Sequence, residues 1–245
     1  MKLEHMTWYE VDARINQGAA VLLPVGSTEQ HGPMGRIGTD TICAEAVALA
    51  AAEQYNGIVA PALAYTPAPF NSGFPGTVSI SADTFHAIAN EVIHGLLEQG
   101  FTGVFVVNGH GANLEPLNRI KDALPDGRVL IRSWWEPDAV NTLRQRLYGE
   151  WEGMHATPSE IAITQSLLGS LPANQAAEPP QKLSAEYMRA HSGDRHGPPA
   201  EHRAAFPDGR VGSHSALANP KDGERLLSAA ASAIASEFRA FEQNQ

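Results

Sequence analysis

The chain has 245 residues, 43% of them hydrophobic and 18% charged, the balance of a folded globular protein and not of a disordered one. A formal net charge of −10 without any basic run argues against nucleic acid as a partner. No apolar run reaches membrane-spanning length, MKLEHMTWYEV lacks the apolar core of a secretion signal, and the single cysteine, Cys43, cannot form an internal disulfide; a soluble, cytoplasmic protein with no membrane partner is expected.

Thr7 stands where it caps a short helix, WYEVDARINQ, closed by Gly18. VLLPV (residues 21–25) reads as a strand buried on both faces. The chain then breaks at Gly26 into a loop carrying Glu29, His31 and Asp40. Glu29 and His31 are two apart, so in an extended segment both side chains point the same way. Gly32, Pro33, Gly35 and Gly38 let the chain fold back toward Asp40. Two carboxylates and an imidazole at one strand end suit zinc, manganese or iron. The alternative is a solvated loop whose polar residues cap turns.

From Thr41, ICAEAVALAAAEQY is Ala-rich and apolar on more than one side, the mark of a well-buried helix, and Cys43 reads there as a small buried hydrophobe. IVAPALAY is a second strand candidate, followed by TPAPFNSGFPG, a loop dense in Pro and Gly of the kind that frames sites. TVSIS reads as a short strand. Ser81 caps a long helix, ADTFHAIANEVIHGLLEQ, with Phe85, Ile88, Val92, Leu96 and Gln99 at helical spacing. GVFVV (103–107) is another buried strand and ends abruptly in Asn108-Gly109-His110-Gly111-Ala112-Asn113. LEPLNRIKDAL then reads as a helix and RVLIRSW (128–134) as a strand.

Apolar strands separated by helices indicate an α/β layered sheet that is largely parallel. Ligands of such sheets sit outside the carboxyl ends of the strands, where both the Glu29/His31 loop and the Asn108/His110 loop fall. Further on, WEGMHATPSEIAITQSLLG holds a helix from about Pro158. Residues 170–215, rich in Pro, Gly, Ser and His, are open between a long loop, a lid and an interface segment. PKDGERLLSAAASAIASEFRAFEQ closes the chain as an amphipathic helix. With no internal repeat and no linker, residues 1–245 are expected to form a single domain.

His110, flanked by two glycines, has an open approach for a ligand or metal. His155 and Glu160 bracket a helix start, where alone they would read as a surface histidine and a carboxylate favoured by the helix dipole. His5, His86, His94, His191, His196 and His202 read as solvated or partly packed; His214, in GRVGSHS, is open between the site and the surface. Asn108 is placed to orient ligands by hydrogen bonds. Nucleophile elbow, Walker loop and dinucleotide fingerprint are all absent.

LLPVGSTEQHGP with GTDT, GFPGTVSIS, VVNGHGAN and GMHATPSE together resemble the creatininase (creatinine amidohydrolase) family of metal-dependent amidohydrolases. The likeness runs from Met6 to about Gly169, with a weaker echo in RVGSHSALANPKDGERLL. It implies a three-layer α/β/α sandwich, assembly as a homohexamer, and two divalent metal ions per chain (Zn, Mn or Fe) bridged by an aspartate and a water. By the resemblance, Glu29 and His110 would hold one ion, His31 the other, and Asp40 would bridge them. Creatinine-hydrolysing members carry a glutamate two residues after the NGH histidine, where this chain has Ala112. The second ion then needs another ligand, and Glu160 is the candidate. The family's histidine-proline-leucine-proline-like loop reads Pro33-Met34-Gly35-Arg36-Ile37 here, altering the mouth of the pocket.

The resemblance therefore implies a hydrolase of a C–N amide bond outside peptides, cyclic amides included, in a small-molecule substrate. A metal-bridging hydroxide would attack the carbonyl, and His155 would carry the proton to the leaving nitrogen. Phe70, Phe74, Trp134 and Trp135 are candidates for the pocket wall or the core. The alternatives are a formamide or small-peptide hydrolase of the same family, or a catalytically silent metal-binding or assembly protein.

Overall fold

The computed structural model describes residues 1–125, 127–193 and 195–245. In chain order its main elements are α1 (Trp8–Ile15), β1 (Val21–Val25), α2 (Thr39–Glu53), β2 (Ile58–Val59), α3 (Ala82–Glu98), β3 (Val104–Asn108), α4 (Leu114–Ala123) and β4 (Val129–Ser133). They continue with α5 (Asp138–Tyr148), α6 (Pro158–Leu168), α7 (Ala185–Ala190), α8 (Pro199–Ala205) and α9 (Pro220–Gln243). The strands form a parallel sheet in the order β2-β1-β3-β4. No helix among the described residues is long and apolar enough to cross a membrane.

Strand alternation divides the core in two. Leu22, Phe105 and Val107 turn to one face and pack with Val47 and Ala51 of α2 and with Leu226, Ile234 and Phe238 of α9. Val21, Leu23, Val104 and Val106 turn to the other and pack with Phe85, Ala89 and Ile93 of α3 and with Leu117 and Ile120 of α4. Burying each large side chain stabilises by roughly 1.5–3 kcal/mol, and burial on both faces explains why the strands read as unbroken apolar runs. The result is the three-layer α/β/α arrangement. Pro24 sits in a central strand, a position Pro normally avoids. Its carbonyl accepts from Leu63 on the β2 side, where β2 has already ended at Val59, so its missing N–H costs no ladder bond.

Several sequence expectations need correction. Asp40 lies in the first turn of α2 and not in the preceding loop. TVSIS is extended but joins no strand; Val78 and Ile80 donate separately to the Thr28 and Thr66 carbonyls. Of IVAPALAY only Ile58–Val59 pair as a strand, because Pro61 interrupts the run. The buried line of α3 is Phe85, Ala89 and Ile93; of the expected line, Phe85 is buried and Val92 and Leu96 pack against the same core, while Ile88 is 43% exposed and Gln99 is exposed. Residues 170–215 contain the two short helices α7 and α8, and α5 had no sequence expectation at all.

Candidate metal centre

Two glycines bring the site's backbone together. A Cβ on Gly26, just beyond β1, would lie 2.3 Å from Thr41 backbone, and one on Gly109, just beyond β3, would lie 2.3 Å from the Asp40 carbonyl oxygen. Only glycine permits this approach, and it lowers the first turn of α2 onto the two strand ends. Asp40 is thereby set between the Glu29/His31 loop and His110. Asn108 braces the latter: its Nδ2 donates to the His110 carbonyl at 2.9 Å and its Oδ1 accepts from the His110 N–H at 3.3 Å. From the other side, the Cys43 thiol donates to the Glu160 carbonyl at 3.5 Å and ties α2 to the first turn of α6.

The six predicted site residues meet in one cluster, all of them buried except Glu160, whose side chain is 12% exposed. Glu29, Asp40 and His110 offer ligand atoms within 4.8 Å of one another, and so do His31, Asp40 and Glu160. Asp40 belongs to both groups. Glu29, His31 and His155 form a third such group, which puts His155 within reach of a ligand's role as well as a proton carrier's. Ala112 has no donor atom, and Glu160 stands on the His31 side, its Oε1 3.9 Å from His31 Nε2. Glu160 also completes a capping box with Thr157, accepting from the Thr157 N–H at 2.5 Å. His214 is elsewhere, edge-on to the Trp151 ring.

Each imidazole is held in one orientation by a backbone carbonyl. His31 Nδ1 donates to the Glu29 carbonyl at 3.1 Å, His110 Nε2 to that of Pro67 at 2.8 Å, and His155 Nε2 to that of Gln30 at 2.7 Å. The second nitrogen of each ring then faces carboxylate: His31 Nε2 is 2.9 Å from Asp40 Oδ1, His110 Nδ1 is 3.3 Å from both Glu29 Oε1 and Asp40 Oδ2, and His155 Nδ1 is 3.5 Å from Glu29 Oε1. In a neutral ring that nitrogen is a lone pair and cannot donate. Lone pair against carboxylate oxygen is favourable only with a proton or a cation between them. Metal-binding histidines show this same pattern of one N–H on a carbonyl and the other nitrogen free to ligate.

The electrostatics point the same way. Burial opposes charge on His31, but Asp40, Glu160 and Glu29 outweigh it and raise the ring to about 10. Burial likewise opposes charge on Asp40, yet His31 and His110 hold its carboxyl well below the usual range. Glu160 is pushed up to about 7 by burial, with Asp40 adding to the push and His31 resisting it. His155 is driven well below its ordinary value by burial and by His31. Three carboxylates, two of them buried and the third nearly so, thus demand positive charge, which a proton on His31 meets in part and a divalent cation would meet fully.

Sequence reasoning missed Gln30 and Asn71. Asn71 Nδ2 donates to Glu29 Oε2 at 3.0 Å, while Gln30 Nε2 donates to Asn71 Oδ1 at 2.7 Å and to the Gly209 carbonyl at 3.0 Å. The Pro/Gly-dense loop around Asn71 was the available signal. Beside the cluster opens a cavity of about 300 Å³ lined by Asp40, His110, His155, Glu160, Trp134 and Trp135 among others. Phe70 meets the His155 ring edge-on, and Phe74 lines a separate hollow on the far side of His31.

The family model described as creatinine amidohydrolase matches residues 4–238. A mycofactocin precursor peptide peptidase of Mycolicibacterium smegmatis is 44% identical over 104 residues, 40% of this chain and 41% of that protein, so the match spans less than half of that relative. A creatinine amidohydrolase of Pseudomonas putida is 30% identical over 185 residues, 68% of this chain and 71% of that protein. A solved structure described as creatininase with Mn superposes with a TM-score of 0.73 at 24% identity, covering 98% of this chain and 97% of that one, and so shares the fold.

Proposed function

The chain belongs to the creatininase family, and from that premise we propose that it is a metal-dependent hydrolase of a C–N amide bond outside peptides, cyclic amides included, in a small molecule. The observation that carries the reading is the pair of ligand groups sharing Asp40, built from histidines whose other N–H is committed to a carbonyl.

Glu29, Asp40 and His110 would hold one divalent ion, and His31, Asp40 and Glu160 the second; zinc, manganese and iron all accept these nitrogen and oxygen donors. When bound, the ions would supply a water activated near neutral pH and would polarise the substrate carbonyl. Asp40 offers one carboxylate oxygen to each side of the cluster. His155, kept neutral by burial and fixed on the Gln30 carbonyl, is poised to accept a proton through Nδ1 and deliver it to the leaving nitrogen. The Trp134 and Trp135 rings, edge to face at 5.7 Å between centroids, offer an apolar wall to the substrate. A homohexamer in the cytoplasm completes this reading.

Metal analysis followed by a hydrolysis panel of lactams, formamides and short peptides tests it. About two ions per chain and turnover of one amide class are expected, with weak or no turnover of creatinine, since Ala112 replaces the family glutamate and the loop from Met34 to Ile37 is altered. A short peptide is the second reading, favoured by the name of the mycobacterial relative. Protein that binds metal but hydrolyses nothing in the panel would be a silent member of the family.

A further inference from the structure

The cavity beside the metal cluster has a cationic wall that the proposed reaction does not use. Arg144, on α5, lines it, and its side chain is only 16% exposed. Its Nε donates to Glu152 Oε1 at 2.9 Å and lies 3.4 Å from the Ser159 hydroxyl. Glu152 is itself 4% exposed, and the same Oε1 also accepts from Ser159. Among the described residues neither terminal nitrogen of Arg144 has a hydrogen-bond partner. The Nε edge is therefore spent on holding the guanidinium in place, and the terminal edge is left to the cavity.

A guanidinium is always charged and its donors form a rigid fork that matches a carboxylate. Arg210, also in this chain, spends both edges, bonding Asp208 at 2.8 Å and the Ala176 and Glu178 carbonyls at 3.1 and 3.0 Å. Arg144 does not. The other charged groups on this cavity, Asp40 and Glu160, belong to the cluster that the ions would neutralise.

We propose that the cavity is shaped for an amide that carries a carboxylate: Arg144 binds the carboxylate through its terminal nitrogens, Glu152 is the positioning residue that aims it, and Trp134 and Trp135 receive an apolar group. An acylated amino acid, or the carboxyl end of a short peptide, has all three features. Creatinine, which has no carboxylate, does not. The amide part of this inference rests on the hydrolase reading; the recognition of the anion does not.

Calorimetric titration of the full chain loaded with Mn²⁺ tests it, using N-acetyl-L-phenylalanine and its neutral counterpart N-acetyl-L-phenylalaninamide. The acid is expected to bind roughly 10- to 100-fold more tightly, the range of one hydrogen bond to a charged group. Arg144→Gln should erase that preference by weakening the acid alone, and Arg144→Lys should restore part of it, a point charge without the fork. Glu152→Gln should narrow the preference with the metal content unchanged. If Arg144→Gln fails to fold because Glu152 is orphaned, the Arg144→Gln/Glu152→Gln pair leaves no buried unpaired charge and carries the same readout. N-acetylglycyl-L-phenylalanine, run alongside, separates a peptide end from an acyl amino acid. Equal binding of acid and amide by the wild type, binding of neither, or a preference that survives Arg144→Gln would overturn the proposal. Selective binding of the acid with no amide hydrolysed would sink the hydrolase reading and leave this one standing. Hydrolysis without preference for the acid would do the reverse.

Discussion

Glu29, His31, Asp40 and His110 hang from the ends of β1 and β3 and the first turn of α2, whereas Met188, Ser192 and Gly193 reach the same cavity from the segment between residues 170 and 215. The first set is positioned by a sheet ladder and by two glycine approaches. The second stands on α7 and the turn after it, and α7 and α8 are too short to be stable alone. Side chains hold this cover down. Arg203 donates to the Gly73 carbonyl at 2.5 Å, and a chain of rings runs Tyr187, His191, His196, His202, with Phe70 packed on the last two at 4.8 and 5.1 Å. The floor is thus backbone-determined and tolerates few changes to its ligand atoms. The cover answers to packing and to protonation.

The largest break between the two should come from Asp40→Ala. A bridging carboxylate serves both ligand groups, so both ions should leave and hydrolysis should vanish, with the fold retained. A full metal complement in the purified variant, by elemental analysis, would remove the bridging assignment.

His155 joins floor to cover, since its ring lies among the ligands and its backbone pairs with Val211. His155→Ala should keep both ions and lower turnover by about 10²- to 10⁴-fold, the usual worth of general acid–base catalysis. Loss of metal instead would make His155 a ligand with Glu29 and His31 and move it wholly to the floor.

Glu160→Gln is a finer probe. Glutamine can keep the capping box with Thr157 but is a poorer ligand, so one ion should leave and the Glu29/Asp40/His110 ion should stay. Two ions bound with unchanged affinity would reduce Glu160 to a helix cap.

The smallest effect belongs to the cover. Burial, with His202 and His191 nearby, lowers His196 to about 4, and burial alone lowers His202 to about 4, both from 6.5. The folded state therefore resists protonation: the stability from these rings is full above pH 6.5 and is lost as pH falls toward 4. Denaturant melts across that window should show a shallower decline for His202→Gln than for the wild type, metal loss being common to both. Parallel pH profiles would mean that His202 titrates alike in the folded and unfolded chain.

Much of the floor was legible in the sequence because its signals are local. Apolar runs of strand length, the Thr7, Ser81 and Pro158 helix starts and the loops after β1 and β3 all follow from neighbours along the chain. So does the largely parallel α/β layering, while the three-layer sandwich was implied by the family resemblance. The placing of Asp40 on α2, the exposure of Ile88 on α3, and the use of Asn71 to hold Glu29 were not legible, because each depends on which distant surface packs against the residue. Arg144 shows this most plainly. It stands on α5, for which there was no sequence expectation, and it becomes a cavity wall only because Glu152, from the turn that follows, folds back under it with Ser159. The sequence by itself determined β1, β3, β4, the helices α1, α2, α3, α4, α6 and α9, and the kinds of ligand at the strand ends, since periodicity and turn chemistry act over a few residues. Which of those ligands converge, and what else faces the space between them, was decided by tertiary structure, where the absence of a Cβ at Gly26 and Gly109 sets how closely α2 can descend.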